Sequence, residues 1–319
     1  TNLGVQWVAC NVEFASGHGS YHLSATYTGA VADVASTTSF FPISGRLPTD
    51  GSTTEANHQI KNRGYSTWLS LQVRVTANAR TNTSTFKNRI NGADGTGSIA
   101  YAAGVTGLVE DTTTNDAIAD GDLLNMSLAL GTGVEDLTIS MMGGSFTSSS
   151  TESECWNSAS GGVARAASAI ANYYVLAGAP NTAITTQTNA AIDMGFPGVA
   201  RNLRCYLSAN TYGANATLKL FKNGAEVLSV TLTASGGAGW YENTADTASF
   251  VATDDMSFRI VGGTSGSITI QAIGITLSDT TSAGGILIKT ADGLAQASVK
   301  TYQGLASASV KTKNGLSNV

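Results

Sequence analysis

Proline, cysteine, histidine and charge are all scarce in this chain. It has 4 prolines, 3 cysteines and 3 histidines in 319 residues, and its charged residues amount to 12%, about half the usual share. No collagen-like or long helical shaft sequence is present, which counts against an extended fibre. The three histidines leave little for metal or acid–base chemistry. His18 and His22 in "GHGSYH" are four apart, a spacing that suits a metal on a helix face. Gly17, Gly19 and Ser20 around them argue for a loop or strand instead, and no third ligand stands near. There is no HExxH, no G-x-S-x-G, no CxxC and no phosphate-cradling Gly loop before a helix. The sequence therefore predicts no catalytic residues, no cofactor and no metal site, and a chain that is not an enzyme.

The thin charge has further consequences. A net charge of −5 provides no basic stripe for a phosphate backbone, which argues against a nucleic-acid partner. The surface must be built from Thr, Ser, Asn and Gly. Such surfaces suit large assemblies, because burying a hydroxyl or amide costs less than burying an ion. Without an apolar run of 18 residues, no membrane-spanning helix is expected. No signal peptide is expected before Thr1, which is read as following removal of an initiator Met, with a processed secreted chain as the alternative. Cys10, Cys155 and Cys205 are odd in number and follow no motif spacing. Cys205, between Leu203 and Leu207 in "NLRCYLSA", reads as a small core residue. A Cys10–Cys155 pair is left open.

What the chain does contain is repetition. Its length suits about two domains, and "RINGADGTGSIAYAAGVTGLVEDT" (89–112) matches "FKNGAEVLSVTLTASGGAGWYENT" (221–244) at an offset of 132. After one added residue, "IADGDLLNMSL" (118–128) matches "VATDDMSFRIV" (251–261), and "LTIS" (137–140) matches "ITIQ" (268–271). Upstream, Trp68–Ala79 resembles Asn202–Gly213. Leu69, Leu71, Val73 and Val75 alternate with polar residues, the period of a half-buried strand. Asn223-Gly224 between two such runs signals a tight hairpin. Short strands with turns every 8–12 residues predict an all-β fold of two tandem jelly-roll or β-sandwich domains related by duplication. The expected boundaries are a first domain at 1–148, a linker at 149–160 and a second domain at 161–280. Gly161–Gly178 is Ala-rich enough for a short helix, although "NYYVLAG" looks like an opening strand.

The end of the chain, 285–319, repeats with period eleven: Ile288-Lys289-Thr290, Val299-Lys300-Thr301 and Val310-Lys311-Thr312 each open a unit. Gly, Val and Thr are poor helix formers, so these units read as strands joined by three-residue turns at Ala291–Gly293, Tyr302–Gly304 and Lys313–Gly315. The meander has little apolar area to set against about 1–2 kcal/mol of backbone entropy per residue. Its order is expected to need packing on its own domains or on neighbouring chains, the latter favoured.

Three other groups invite a functional reading. Asp120 and Asp122 in "ADGD" and Asp254 and Asp255 in "TDDM" fall at matching places of the duplication, so they are expected to serve one turn twice. A calcium site of turn oxygens remains an alternative. Asn82, Asn125 and Asn215 sit in N-x-S/T sequons. Trp7, Trp68, Trp156 and Trp240 are expected to anchor cores rather than line a sugar-binding face.

The duplicated NG-turn pattern followed by "SVKTxxGLA"-like units resembles exterior virion proteins of tailed bacteriophages, across nearly the whole chain but as a pattern only. The resemblance implies a non-enzymatic homo-oligomer, a trimer favoured, on the virion exterior after synthesis in the host cytoplasm. Capsid or other virion proteins would be its partners, as decoration or cement. A tail-fibre or receptor-binding module, a secreted filament subunit, and a carbohydrate-binding module or depolymerase that contacts host glycan are the alternatives.

Overall fold

The computed structural model describes residues 19–25, 31–32, 38–47, 52–131, 136–148, 151–178 and 184–279, then 290–291, 294–295, 312–313 and 316–317. Two compact units divide the chain after Ser278. Trp7, Cys10, His18 and the Tyr302–Gly304 turn lie outside the described residues.

The larger unit is all-β and built twice. Its first copy runs through β1 (Gly19–Ala25), β2 (Val31–Ala32), β3 (Thr38–Phe41), β4 (Gly45–Arg46), β5 (Ile60–Lys61) and β6 (Thr67–Asn78). It continues with β7 (Ser84–Ile90), β8 (Ala93–Tyr101), β9 (Gly107–Asp111), β10 (Asp116–Ala117), β11 (Leu123–Ala129) and β12 (Leu137–Thr147). The second copy has β13 (Glu152–Tyr174), β14 (Ile192–Asp193), β15 (Gly198–Asn210), β16 (Ala216–Lys222), β17 (Ala225–Leu232), β18 (Gly239–Phe250) and β19 (Asp255–Asp279). In the first copy one sheet orders β1, β12, β6 and β9, and the facing sheet orders β3, β11, β7 and β8. This is the jelly-roll arrangement, eight strands whose connections pass from one layer to the other except at the β7–β8 hairpin. The second copy repeats it with fewer breaks. Residues 152–158 of β13 pair with 272–278 of β19 in one layer, and 172–174 of β13 pair with 258–260 of β19 in the other.

An offset of 132 carries β7 onto β16, the start of β8 onto that of β17, and the 3₁₀ turn Glu55–His58 onto Gln187–Asn189. Asn91-Gly92 and Asn223-Gly224 both take the double positive φ of a tight hairpin turn (53° and 79°; 50° and 83°). The same offset continues without an added residue, because Leu124, Met126 and Leu128 are buried where Met256, Phe258 and Ile260 are. The upstream match also moves by two residues. Trp68, Leu71, Val73 and Val75 correspond to Ala200, Leu203, Cys205 and Leu207, all buried. In the first copy a bulge marks this point, where β6 pairs Ser70 with Ser145 but Trp68 with Phe146; in the second, β15 shifts register against β18 between Arg201 and Leu203. The extra residue turns Trp68, rather than Leu69, into the core.

The stretch expected to be a linker is mostly strand. β12 runs to Thr147 and β13 begins at Glu152, because 152–158 finds a full set of ladder partners on β19. Gly161–Gly178 is likewise strand up to Tyr174, not helix. The two copies are joined in one continuous sheet through β4, which pairs in parallel with β1 (Ser24↔Gly45) and with β13 (Ala159↔Arg46). Gly45 has φ of 96°, and a Cβ there would run into the carbonyl oxygen of Ser158 and lie 2.6 Å from that of Gly178. Gly45→Ala is therefore expected to destabilise the joint by at least ~1 kcal/mol from the positive φ alone, with the clash adding to it; a lowered urea midpoint checks this.

The smaller unit contains β20 (Thr290–Ala291) paired with β21 (Leu294–Ala295), and β22 (Thr312–Lys313) paired with β23 (Leu316–Ser317). The registers Ala291↔Leu294 and Lys313↔Leu316 repeat after two eleven-residue periods. Ala291 and Lys313, expected within three-residue turns, are instead strand residues paired with Leu294 and Leu316; the residues between them lie outside the described ones.

Candidate functional site

The most built part of the molecule is the seam between the copies. Alternation places Leu203, Cys205 and Leu207 of β15 in the second copy's own core. Arg204 therefore points out of the opposite face of that sheet, and Trp156 of β13 and Ala272 of β19 belong to the first copy's hydrophobic cluster. Trp240 of β18 packs against the same cluster, half-buried. The first copy meets this face with its end, the loop running from β5 into β6.

At the centre lies an ion pair, Arg204 Nη2 to Glu154 Oε2 at 2.7 Å, with both side chains fully buried. Glu154 also accepts from Trp156 Nε1 (2.9 Å), Arg63 N (2.7 Å) and Thr276 Oγ1 (3.3 Å). Arg204 donates onward to the carbonyls of Lys61 (3.0 Å) and Asn202 (2.7 Å), and its guanidinium lies 4.2 Å from the Trp156 ring centroid. Burial pushes the Glu154 carboxyl upward, against the Arg204 charge and the donated hydrogen bonds. Burial also lowers the Arg204 guanidinium, against Glu154. A carboxylate with four donors and a stacked cation has no lone pair or proton to lend a substrate; the arrangement is a clamp.

A second, half-exposed tier surrounds it. Glu242 Oε2 accepts from Lys61 Nζ (2.8 Å) and Arg63 Nη2 (2.9 Å), and Arg63 Nη1 reaches Asp120 (3.0 Å). Burial raises the Glu242 carboxyl, but the bonds and charge of Lys61 and Arg63 win and hold it below the usual carboxylate range. Trp240 stands edge-on to Trp156 (6.2 Å) and beside Tyr206 (5.4 Å). The Tyr65 hydroxyl accepts from Glu154 N (2.9 Å) and is hydrogen-bonded to His22 Nε2 (2.7 Å).

The residues singled out from sequence fall as follows. His22 is a buried core residue packed between Tyr65 and Phe146. Asp122 and Asp254 do serve one turn twice: each accepts from an Asn side chain (Asn91, Asn223) and from a backbone N–H (Ala119, Val251). Asp120 and Asp255 are not part of that equivalence, since Asp120 pairs with Arg63 and Asp255 lies across from Asp193. Among the described residues no three His, Cys, Asp or Glu side chains gather as a metal set, and no helix is long and apolar enough to cross a membrane. Asn125 is fully buried, which closes its sequon to modification, whereas Asn82 and Asn215 are exposed. Cys205 is buried in the second core; Cys155 has its thiol pushed up to about 12 by burial and by Glu154. Trp68 and Trp156 are core residues. Sequence reasoning missed Glu154 and Arg204. The available signal was Arg204 between Leu203 and Cys205, a charge at mid-strand in a chain poor in charge.

No family model matches the chain, and no curated protein matches it. Among solved structures, the chain is similar to that of infectious bursal disease virus Gt strain at 10% identity, over 85% of this chain and 75% of that one, with a TM-score of 0.26. The infectious bursal disease virus VP2 subviral particle gives 11% identity over 82% and 72%, with a TM-score of 0.24. A Paenibacillus xanthan lyase gives 16% identity over 67% of this chain and 21% of that one, with a TM-score of 0.22. Likenesses this weak, split between virus particles and a lyase, carry no argument about function.

Proposed function

We propose that this chain is a non-enzymatic structural protein of a virus particle, specifically a capsid decoration or cement protein of a tailed phage. It acts by contact with copies of itself, with a trimer as the expected assembly, and with the capsid shell. The seam carries this reading. The buried polar site among the described residues spends its charges on locking two jelly rolls into one body, which is the requirement of a scaffold. A surface with little charge supports the same reading, because such a surface is buried in an assembly at low desolvation cost. Closed symmetry is the default for an assembly of this kind.

The experiment is to mix the purified chain with undecorated capsids, sediment, and count bound copies by gel densitometry. Hundreds of copies per particle are expected. A handful would favour a tail-fibre or receptor-binding module, and specific retention on a glycan array with no capsid binding would favour a carbohydrate-binding module. Deletion of 285–319 is expected to abolish assembly while leaving the strand signal of the larger unit in circular dichroism unchanged. Loss of that signal would mean instead that the terminal segment serves folding.

A further inference from the structure

The seam is asymmetric. One side is the end of the first copy, with Lys61 and Arg63; the other is the outer sheet face of the second copy, where Tyr206 and Trp240 stand opposite each other across β15 and β18. Because the copies are built alike, every molecule also owns the two surfaces the seam does not use. These are the outer face of the first copy and the end of the second.

Those two surfaces carry matching features. At the offset of 132, Tyr206 and Trp240 become Arg74 and Leu108, which again stand opposite each other, now across β6 and β9. Both are exposed, Leu108 by 50%. At the second copy's end, Lys61 becomes Asp193, which lies across from Asp255. The chain just beyond it is tied to the neighbouring turn by Met194 N to Asp254 O (3.1 Å) and Gly195 N to Ala252 O (2.9 Å). That turn presents Val251, 55% exposed. Among the described residues three large apolar side chains are exposed: Val105 and Leu108 border the first surface, and Val251 lies on the second. The charge is partly inverted relative to the seam: within the chain, cations on the end meet Glu242 on the face, whereas here Asp193 and Asp255 sit on the end and the face carries the cation Arg74 beside Glu110, which keeps the place of Glu242.

We infer that the seam recurs between molecules: the end of one chain's second copy, at Asp193 and Val251, seats on the outer face of another chain's first copy, at Arg74 and Leu108. The contact is head-to-tail, so it closes into a ring or runs on as an array according to its rotation. It deepens, and rests on, the reading of this chain as a self-associating structural protein.

The test uses the full-length chain in native mass spectrometry and light scattering. Wild type is expected to exceed the monomer mass, and Leu108→Asp and Val251→Asp each to fall to the monomer with unchanged circular dichroism, both positions being exposed. An equimolar mixture of the two variants retains one intact half-joint on each chain, so it is expected to give a dimer and stop there. Arg74→Glu is expected to disassemble the protein, and Asp193→Lys in the same chain to restore it. Variants that keep the wild-type mass, or a mixture that stays monomeric, overturn this contact and leave self-association itself standing. A wild type that is monomeric at every concentration sinks the self-association reading beneath it.

Discussion

Glu154→Ala is expected to lower the stability of the larger unit by about 3–5 kcal/mol, the range for breaking a buried pair from one side. The substitution leaves the Arg204 guanidinium charged at 0% exposure and orphans the Trp156 Nε1 and Arg63 N donors. Unpaired buried groups cost far more than the net worth of the bonds they made. Arg204→Met alone is expected to cost a similar amount by stranding the carboxylate. The double variant Glu154→Leu/Arg204→Met removes both charges and fills the volume, and is expected to recover most of the loss, since well-packed apolar replacements of buried pairs are often neutral. Urea unfolding of wild type, Glu154→Leu, Arg204→Met and the double variant forms a double-mutant cycle that measures the coupling. The single variants are also expected to unfold in two steps, because the seam is what makes the copies melt together. A single-variant loss under ~1 kcal/mol with one sharp transition would mean that the apolar contacts of Trp156 and Ala272 hold the copies by themselves.

The strands and the duplication were legible because both are written in short-range signals. Alternation of Leu71, Val73 and Val75 gives period two, and Asn-Gly gives a turn only a positive φ can make. The upstream alignment drifted because a bulge is invisible in sequence; Leu69 is as apolar as Trp68 is, and only the pairing of β6 with β12 decides which of them faces the core. The boundary between copies was missed for a related reason. "SFTSSSTESE" has the composition of a linker, and the ladder on β19 that makes strand of its end is set more than 100 residues downstream. Glu154 was hidden in that stretch. A charge's burial depends on what another part of the chain lays over it, and neither Lys61, Arg63 nor Arg204 is near Glu154 in sequence. The tail's eleven-residue repeat was readable, while the place of Ala291 in a strand needed the register.

Acidification is expected to loosen the larger unit through its buried histidines, between pH 6.5 and 4. His22 and His58 are both buried, 7% and 2% exposed, and burial lowers each from 6.5 to about 4. Among the described residues His22 has one hydrogen-bond partner, Tyr65, and neither ring nitrogen of His58 has any. The folded state thus favours the neutral imidazole, so folded-state pKa values lie below unfolded ones. Stability from this source is fully present above pH 6.5 and is lost as pH falls toward 4, because the unfolded chain takes up protons the folded one refuses. At about 1.4 kcal/mol per unit of pKa, each histidine removes up to ~3 kcal/mol across that window. The carboxylates act elsewhere. Burial works to raise Asp111, but hydrogen bonds from Thr114, Ser98 and Thr113 prevail and hold it at about 2, so its contribution is lost only below 3.8. Glu154 is pushed upward by burial, so its contribution runs in the opposite sense to that of the histidines. The histidine part is isolated by substitution. His58→Ala introduces the residue found at the matching place in the second copy, where Ala190 is fully buried, and His22→Gln keeps a group able to bond Tyr65. The urea midpoint of wild type is expected to drop steeply between pH 6.5 and 4, that of each single variant about half as far, and that of the double variant little. A wild-type midpoint that stays level across this window would show that both imidazoles reach water or a hydrogen-bond acceptor in the folded protein.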